Sequence, residues 1–226
     1  MRPTSFDHVA LWVSRRDQIA AFLCDHLGMH VIERTGDFTL VGADAREGKL
    51  TLFDAEGPRE PGALERVVLR VGDLDSALSR LPSGLELRHD DGVVGFEGPE
   101  GLGLGLVEGA NGLEYDLDHV VLRVPDPDRT GAELVELGFA RGDDGLVIAD
   151  RSLKLEPGGP SEPERPLLNH LAVLVDSAEE HLDEARRRDL EVEDVKDAPN
   201  TLAVFVRGPD GIRLEYVEHK PGFSLR

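Results

Sequence analysis

An eight-residue pattern recurs four times: FDHVALWV at 6–13, LERVVLRV at 64–71, LDHVVLRV at 117–124 and LNHLAVLV at 168–175. In each copy a polar third residue is followed by a run rich in Val and Leu, the composition of a largely buried strand. The third residues are His8, Arg66, His119 and His170, at successive offsets of 58, 53 and 51 residues. That near-constant period is the length of one supersecondary unit, so the chain reads as four modules.

The segment after each strand repeats as well. Ser14 precedes a stretch in which Ile19, Phe22 and Leu23 fall at helical spacing, with Gly28 as the stop. DPDRTGAELVELG sets Leu134 and Leu137 before Gly138, AEEHLDEARRRDL comes after a cap at Asp176 or Ser177, and module two has only the short DLDSALSRL ending at Pro82. Each helix gives way to short apolar runs separated by turns. The last hairpin is marked by GPEG at 98–101 and GPDG at 208–211. Every module therefore predicts β-α-β-β-β, and the fold class is α+β. Pro- and Gly-rich linkers at 55–63, 109–115 and 157–166 predict two domains of paired neighbours: 1–111, from modules 1–56 and 57–111, and 112–226, from modules 112–161 and 162–226. PSEPERP at 160–166 reads as mobile.

Composition narrows the classes. Hydrophobic residues make up 40%, enough for a packed core in spite of the charge. A net charge of −20 disfavours nucleic acid and anionic membrane as partners, since both need a basic face. No apolar run approaches the ~20 residues of a membrane span, the N-terminus lacks the pattern of a signal peptide, and the single Cys24 fits a reducing compartment. A cytoplasmic protein is the expectation, and the excess of arginine over lysine points to a GC-rich bacterial genome.

Alternate residues of a strand share a face. His119 and His170 stand at equivalent positions on equivalent strands, so a pseudo-twofold between modules three and four brings their imidazoles to one point. On the last strand Glu215 shares a face with Arg213 and Val217, and completes a set of two imidazoles and one carboxylate. Such a set holds a divalent metal on one side and leaves positions open for substrate.

The βαβββ repeat, the strand-initial histidines and the segment FVRGPDGIRLEYVE resemble the vicinal oxygen chelate superfamily, which includes glyoxalase I, bleomycin-resistance proteins, fosfomycin-resistance enzymes and type I extradiol dioxygenases. The resemblance implies four modules paired into two domains with the metal in the second, as in the extradiol dioxygenases. It implies His119, His170 and Glu215 as ligands of one divalent ion, with Fe(II) favoured and Zn, Mn, Ni or Co as alternatives. The first domain departs from the pattern: Arg66 stands where a histidine would and Gly105 where Glu215 does. His8 is then expected to be a structural remnant. Sheet edges that pair between chains in this superfamily imply a homodimer.

The resemblance to dioxygenases is incomplete. Phe205 replaces a tyrosine before the turn, and VKDAPNTLA carries no histidine to serve as acid or base beside the metal. His181 reads as a solvent-exposed helix residue and His219 as a residue at the pocket rim. Glu156 is the acidic candidate for a fourth ligand or base, as in glyoxalase-like isomerases, with Arg123 and Lys154 as candidates for holding a carboxylate or enolate. Three functions stay open: a dioxygenase-like metalloenzyme acting on vicinal oxygens of a small, aromatic substrate; a glyoxalase-like isomerase or lyase; and a non-enzymatic, drug-binding resistance protein. His219, Glu156 and Arg123 are the catalytic candidates.

Overall fold

The computed structural model describes residues 1–46, 48–110, 112–143, 145–158 and 164–225. Module one comprises β1 (Ser5–Val13), α1 (Arg16–His26), β2 (His30–Arg34), β3 (Phe38–Gly42) and β4 (Lys49–Asp54). Module two comprises β5 (Leu64–Val71), α2 (Leu74–Ser79), β6 (Arg88–Asp90), β7 (Val93–Glu97) and β8 (Gly103–Glu108). Module three is β9 (Asp116–Val124), α3 (Pro127–Glu136), β10 (Ala140–Gly142), β11 (Gly145–Ile148) and β12 (Arg151–Pro157). Module four is β13 (Leu168–Leu174), α4 (Ala178–Arg187), β14 (Val192–Asp197), β15 (Thr201–Arg207) and β16 (Arg213–His219). All four repeats are thus βαβββ units. Part of the segment expected to be mobile, residues 160–163, lies outside the described residues.

The modules pair differently from the sequence expectation. One eight-stranded sheet has the order β14-β15-β16-β13-β1-β4-β3-β2, and the other β10-β11-β12-β9-β5-β8-β7-β6. Module one therefore shares a sheet with module four, and module two with module three. The division at 111/112 does not separate the sheets, because each takes strands from both sides of it. The joints are antiparallel, β1 on β13 and β5 on β9, while the first and last strands of each module run parallel.

Each sheet turns one face to a shared apolar core. Val9, Leu11, Leu171, Val173, Leu214 and Tyr216 from one sheet join Val67, Leu69, Val120 and Leu122 from the other, together with Ile19 and Leu23 of α1 and Leu134 of α3. Burying the Val- and Leu-rich faces of all four repeats in one cluster removes most of the apolar surface from water. A smaller cluster of Ala172, Ala203, Phe205 and Val217 lies on the opposite face of the first sheet.

The GPEG and GPDG turns add contacts across the modules. Glu100 accepts from the backbone N–H of Ser14 (3.0 Å) and of Arg15 at the start of α1. The helix thus has a carboxylate from module two at its positive end, where a side-chain cap of its own is absent. Asp210 takes the same position beside α3, accepting from the Thr130 hydroxyl and the Arg129 guanidinium. Sheets join modules one to four and two to three, and the turns join one to two and three to four. Gly28 ends α1 at φ 60°, and a Cβ there would stand 2.5 Å from the Tyr115 ring, so the site requires glycine.

Candidate metal centre

The joint between β1 and β13 places Ala10 opposite His170 and His8 opposite Ala172. Both imidazoles therefore project from the same face, on adjacent strands. Glu215 on β16 lies beside Ala172 and projects from that face too. The three donors form a small triangle. His8 Nε2 is 3.0 Å from His170 Nε2 and 3.2 Å from Glu215 Oε2, and His170 Nε2 is 2.7 Å from the same oxygen. Among the described residues these are the His, Cys, Asp and Glu side chains grouped closely enough to hold a metal ion.

Neighbouring acceptors orient both rings. His8 Nδ1 faces Asp7 Oδ1 at 3.3 Å and His170 Nδ1 faces Asn169 Oδ1 at 3.0 Å. An oxygen acceptor at Nδ1 fixes the proton there and leaves Nε2 as a bare lone pair. Two such lone pairs 3.0 Å apart, beside a carboxylate oxygen, repel unless a cation or a proton lies between them. Spacings of 2.7–3.2 Å bring all three donors within reach of one divalent ion.

The electrostatics of the protein without an ion agree. Burial opposes a charge on His8, but Glu215 and Asp7 carry its pKa up to about 9. Burial also opposes a charge on Glu215, and the His170 and His8 rings nevertheless draw it down to about 2. His170, held back by burial more than Glu215 favours it, stays below the usual histidine value. A proton on His8 then compensates the carboxylate until a metal takes its place.

The setting of Asp7 explains how His8 is held. Asp7 is buried and bonded by Lys49 Nζ at 2.9 Å and a shorter contact of 2.5 Å, and by His219 Nε2 at 3.3 Å. Burial works against its charge, yet Lys49, His219 and His8 hold it well below the usual carboxylate range. His219 therefore faces Asp7 behind His8, stacked on Phe223 at 4.1 Å, rather than the rim expected for it. Phe205 packs edge-on against the His170 ring at 5.2 Å, beneath the Arg213 guanidinium at 4.2 Å. Phe53 lies 6.2 Å from His170 and is flanked by Phe38 and Trp12, so the module-one side of the centre is an aromatic wall.

The sequence-predicted ligands thus divide. His170 and Glu215 come together with His8, whereas His119 lies on β9 in the other sheet, its Nδ1 2.6 Å from Asp118 Oδ1. His8 was expected to be a remnant because its partner was taken to be module two. Pairing with module four gives it a second histidine and a carboxylate. The residue beside Ala10 that matches Glu215 is Thr51, buried and neutral. In module three that position is Lys154, which lies beside Val121. This was the overlooked signal: an ammonium at the fourth position would oppose a metal held by His119, and Thr51 does not. Glu156 is two residues further on, close to half exposed, and paired with Arg123, which also meets Glu65 at 3.3 Å. Neither faces the centre. His181 is buried rather than solvent-exposed. It donates from Nδ1 to Ser177 O at 2.7 Å, accepts from the Arg2 N–H at 3.1 Å and stacks on Tyr216.

Two mixed eight-stranded sheets built from four βαβββ units are the architecture of the vicinal oxygen chelate class. Residues 5–86 match the family model of the Glyoxalase/Bleomycin resistance protein/Dioxygenase superfamily. That match covers about a third of the chain, and over the rest the likeness is one of fold. It is similar to a candidate dioxygenase from Bacillus subtilis, with a TM-score of 0.79 at 19% identity over 98% of this chain and 87% of the other. Glyoxalase I from Zea mays gives 0.70 at 16% identity, covering 95% and 92%. The cppA protein of Streptococcus pneumoniae gives 0.64 at 15%, covering 96% and 98%. A comparison with curated proteins finds no match. No helix of the described residues is long and apolar enough to cross a membrane.

Proposed function

We propose that the protein is a metal-dependent, dioxygenase-like enzyme that chelates vicinal oxygens of a small aromatic substrate at His8, His170 and Glu215. The observation that carries this reading is the donor triangle, with both Nδ1 atoms turned to oxygen acceptors and both Nε2 atoms turned to one point. A donor set of two histidines and one carboxylate favours Fe(II), which, when bound, would supply Lewis acidity and a site for oxygen. Thr51 in place of a fourth ligand favours this reading over an isomerase with four protein ligands. The chain's own groups do the rest. Asp7 and Asn169 hold the imidazoles in register, and Glu215 balances charge. Phe205, Phe53, Phe38 and Trp12 supply apolar surface for an aromatic ring and exclude water.

Lone Cys24 suits the reducing cytoplasm in which a ferrous ion persists. Phe205 carries no hydroxyl, so a simple catechol is expected to bind and shift the metal's spectrum while ring opening stays slow. General acid-base help is typically worth 10²–10⁴-fold.

The test is elemental analysis of protein purified without added metal, followed by anaerobic loading with Fe(II), addition of catechol and admission of air. We expect one divalent ion per chain. His8→Ala and His170→Ala each should abolish stoichiometric binding, and His119→Ala should leave it intact. Loss with His119→Ala but not with His8→Ala would overturn the ligand set. A correctly loaded protein whose metal spectrum ignored catechol would overturn vicinal-oxygen chelation.

A further inference from the structure

The second sheet repeats the geometry of the metal centre with the opposite charge. Across β5 and β9, Arg66 pairs with Val121 and Val68 with His119, as His8 pairs with Ala172 and Ala10 with His170 across β1 and β13. Gly105 lies beside Val68 and Lys154 beside Val121, as Glu215 lies beside Ala172 and Thr51 beside Ala10. The register is the same at all four positions. Where the first sheet carries His, His, Glu and Thr, the second carries Arg66, His119, Lys154 and Gly105.

The glycines make room for the arginine. A Cβ at Gly105 would stand 3.0 Å from Arg66 Cδ, and one at Gly95 would stand 3.1 Å from Arg66 Nη1. The half-buried Arg66 guanidinium therefore lies over Gly95, the position that corresponds to Phe205 beside Glu215. Among the described residues it makes no ion pair or hydrogen bond. His119 is buried, and the 2.6 Å contact of Nδ1 with Asp118 leaves Nε2 for the face it shares with Arg66 and Lys154. The Asp118 charge is itself matched by Arg70 Nε, also at 2.6 Å.

We infer that this face of the second sheet is a binding site for a small oxyanion, a carboxylate or phosphate group, gripped by the Arg66 guanidinium where it lies over Gly95. A half-buried guanidinium that meets no counter-ion among the described residues presents a fork of N–H donors that matches two oxygens of such a group. A guanidinium there repels a metal ion and attracts an anion, and in a chain of net charge −20 it is a local exception. The site does not depend on a metal in the first sheet.

The experiment is isothermal titration of the full chain with inorganic phosphate and, separately, with acetate, at constant ionic strength. Saturable binding of either anion is expected, and the tighter of the two identifies the group. Arg66→Gln should weaken it at least tenfold, and Arg66→Lys, which keeps the charge but loses the fork, should fall between. Arg88→Gln, which removes a cation on the exposed edge strand β6, should leave it unchanged, as should His170→Ala. If Arg66→Gln fails to fold, as judged by circular dichroism, the Arg66→Lys affinity carries the test. Absence of saturable heat at millimolar anion, or binding indifferent to Arg66, would overturn the site. So would binding lost in His170→Ala but kept in Arg66→Gln, since the anion would then sit on the metal.

Discussion

The residue before each strand-initial histidine decides how that ring is held. Asp7, Asp118 and Asn169 each place an oxygen against the Nδ1 of the following histidine. Asp118 is the clearest case outside the metal centre. Burial works against its charge, but the hydrogen bonds from His119 and Arg70 outweigh that and lower its pKa. A carboxylate with a depressed folded-state pKa stabilises the fold above its unfolded value of about 3.9, and the contribution is lost as pH falls below that. Asp118→Asn should therefore cost about 1–2 kcal/mol at pH 7. The difference from wild type should shrink towards zero near pH 3. Urea unfolding of both proteins at the two pH values measures it, and an unchanged difference at low pH would show that charge is not the cause.

Among the elements, the hairpin turns do more than reverse the chain. Glu100 and Asp210 both adopt a left-handed conformation, φ 60° and 52°, each followed by a glycine at positive φ. That shape carries their carboxylates to the start of a helix in another module. Glu100→Ala should destabilise the protein by about 1 kcal/mol, since it strips the acceptor from the N–H groups leading into α1. Glu100→Gln should cost less, because the amide oxygen can still accept. Denaturant midpoints for the two variants test this, and equal losses would assign the effect to packing. The helices themselves were legible from spacing. The cap was not, because Ser14 lies at the right place in the sequence while the acceptor lies 86 residues away.

At the scale of the whole molecule, the pairing of first with last and second with third module makes the two halves interdependent. Residues 1–111 contain His8 but neither His170 nor Glu215, and residues 112–226 contain the reverse. Strand β1 also loses its β13 partner in the isolated half, leaving an open edge of unpaired backbone groups. Expressed separately, neither half should bind a divalent ion stoichiometrically, while the two mixed should recover binding. Metal analysis after gel filtration decides it. Tight binding by residues 112–226 alone would contradict the sheet order.

The sequence by itself determined the four repeats, the βαβββ order, the superfamily resemblance and three of the positions that matter, His170, Glu215 and the departure at Arg66. These are local properties: alternation along a strand, helical spacing, turn residues and a repeated register. Only the tertiary structure decided which repeats share a sheet, and with that choice His8 took the place expected for His119. The first strands of all four modules carry nearly the same apolar pattern, so each presents a similar edge to any partner and local signals cannot rank the pairings. The ranking comes from burial of the combined faces in one core and from the charge each joint brings together. Thr51 next to two imidazoles and a carboxylate accepts a cation, whereas Lys154 in that place would have repelled one.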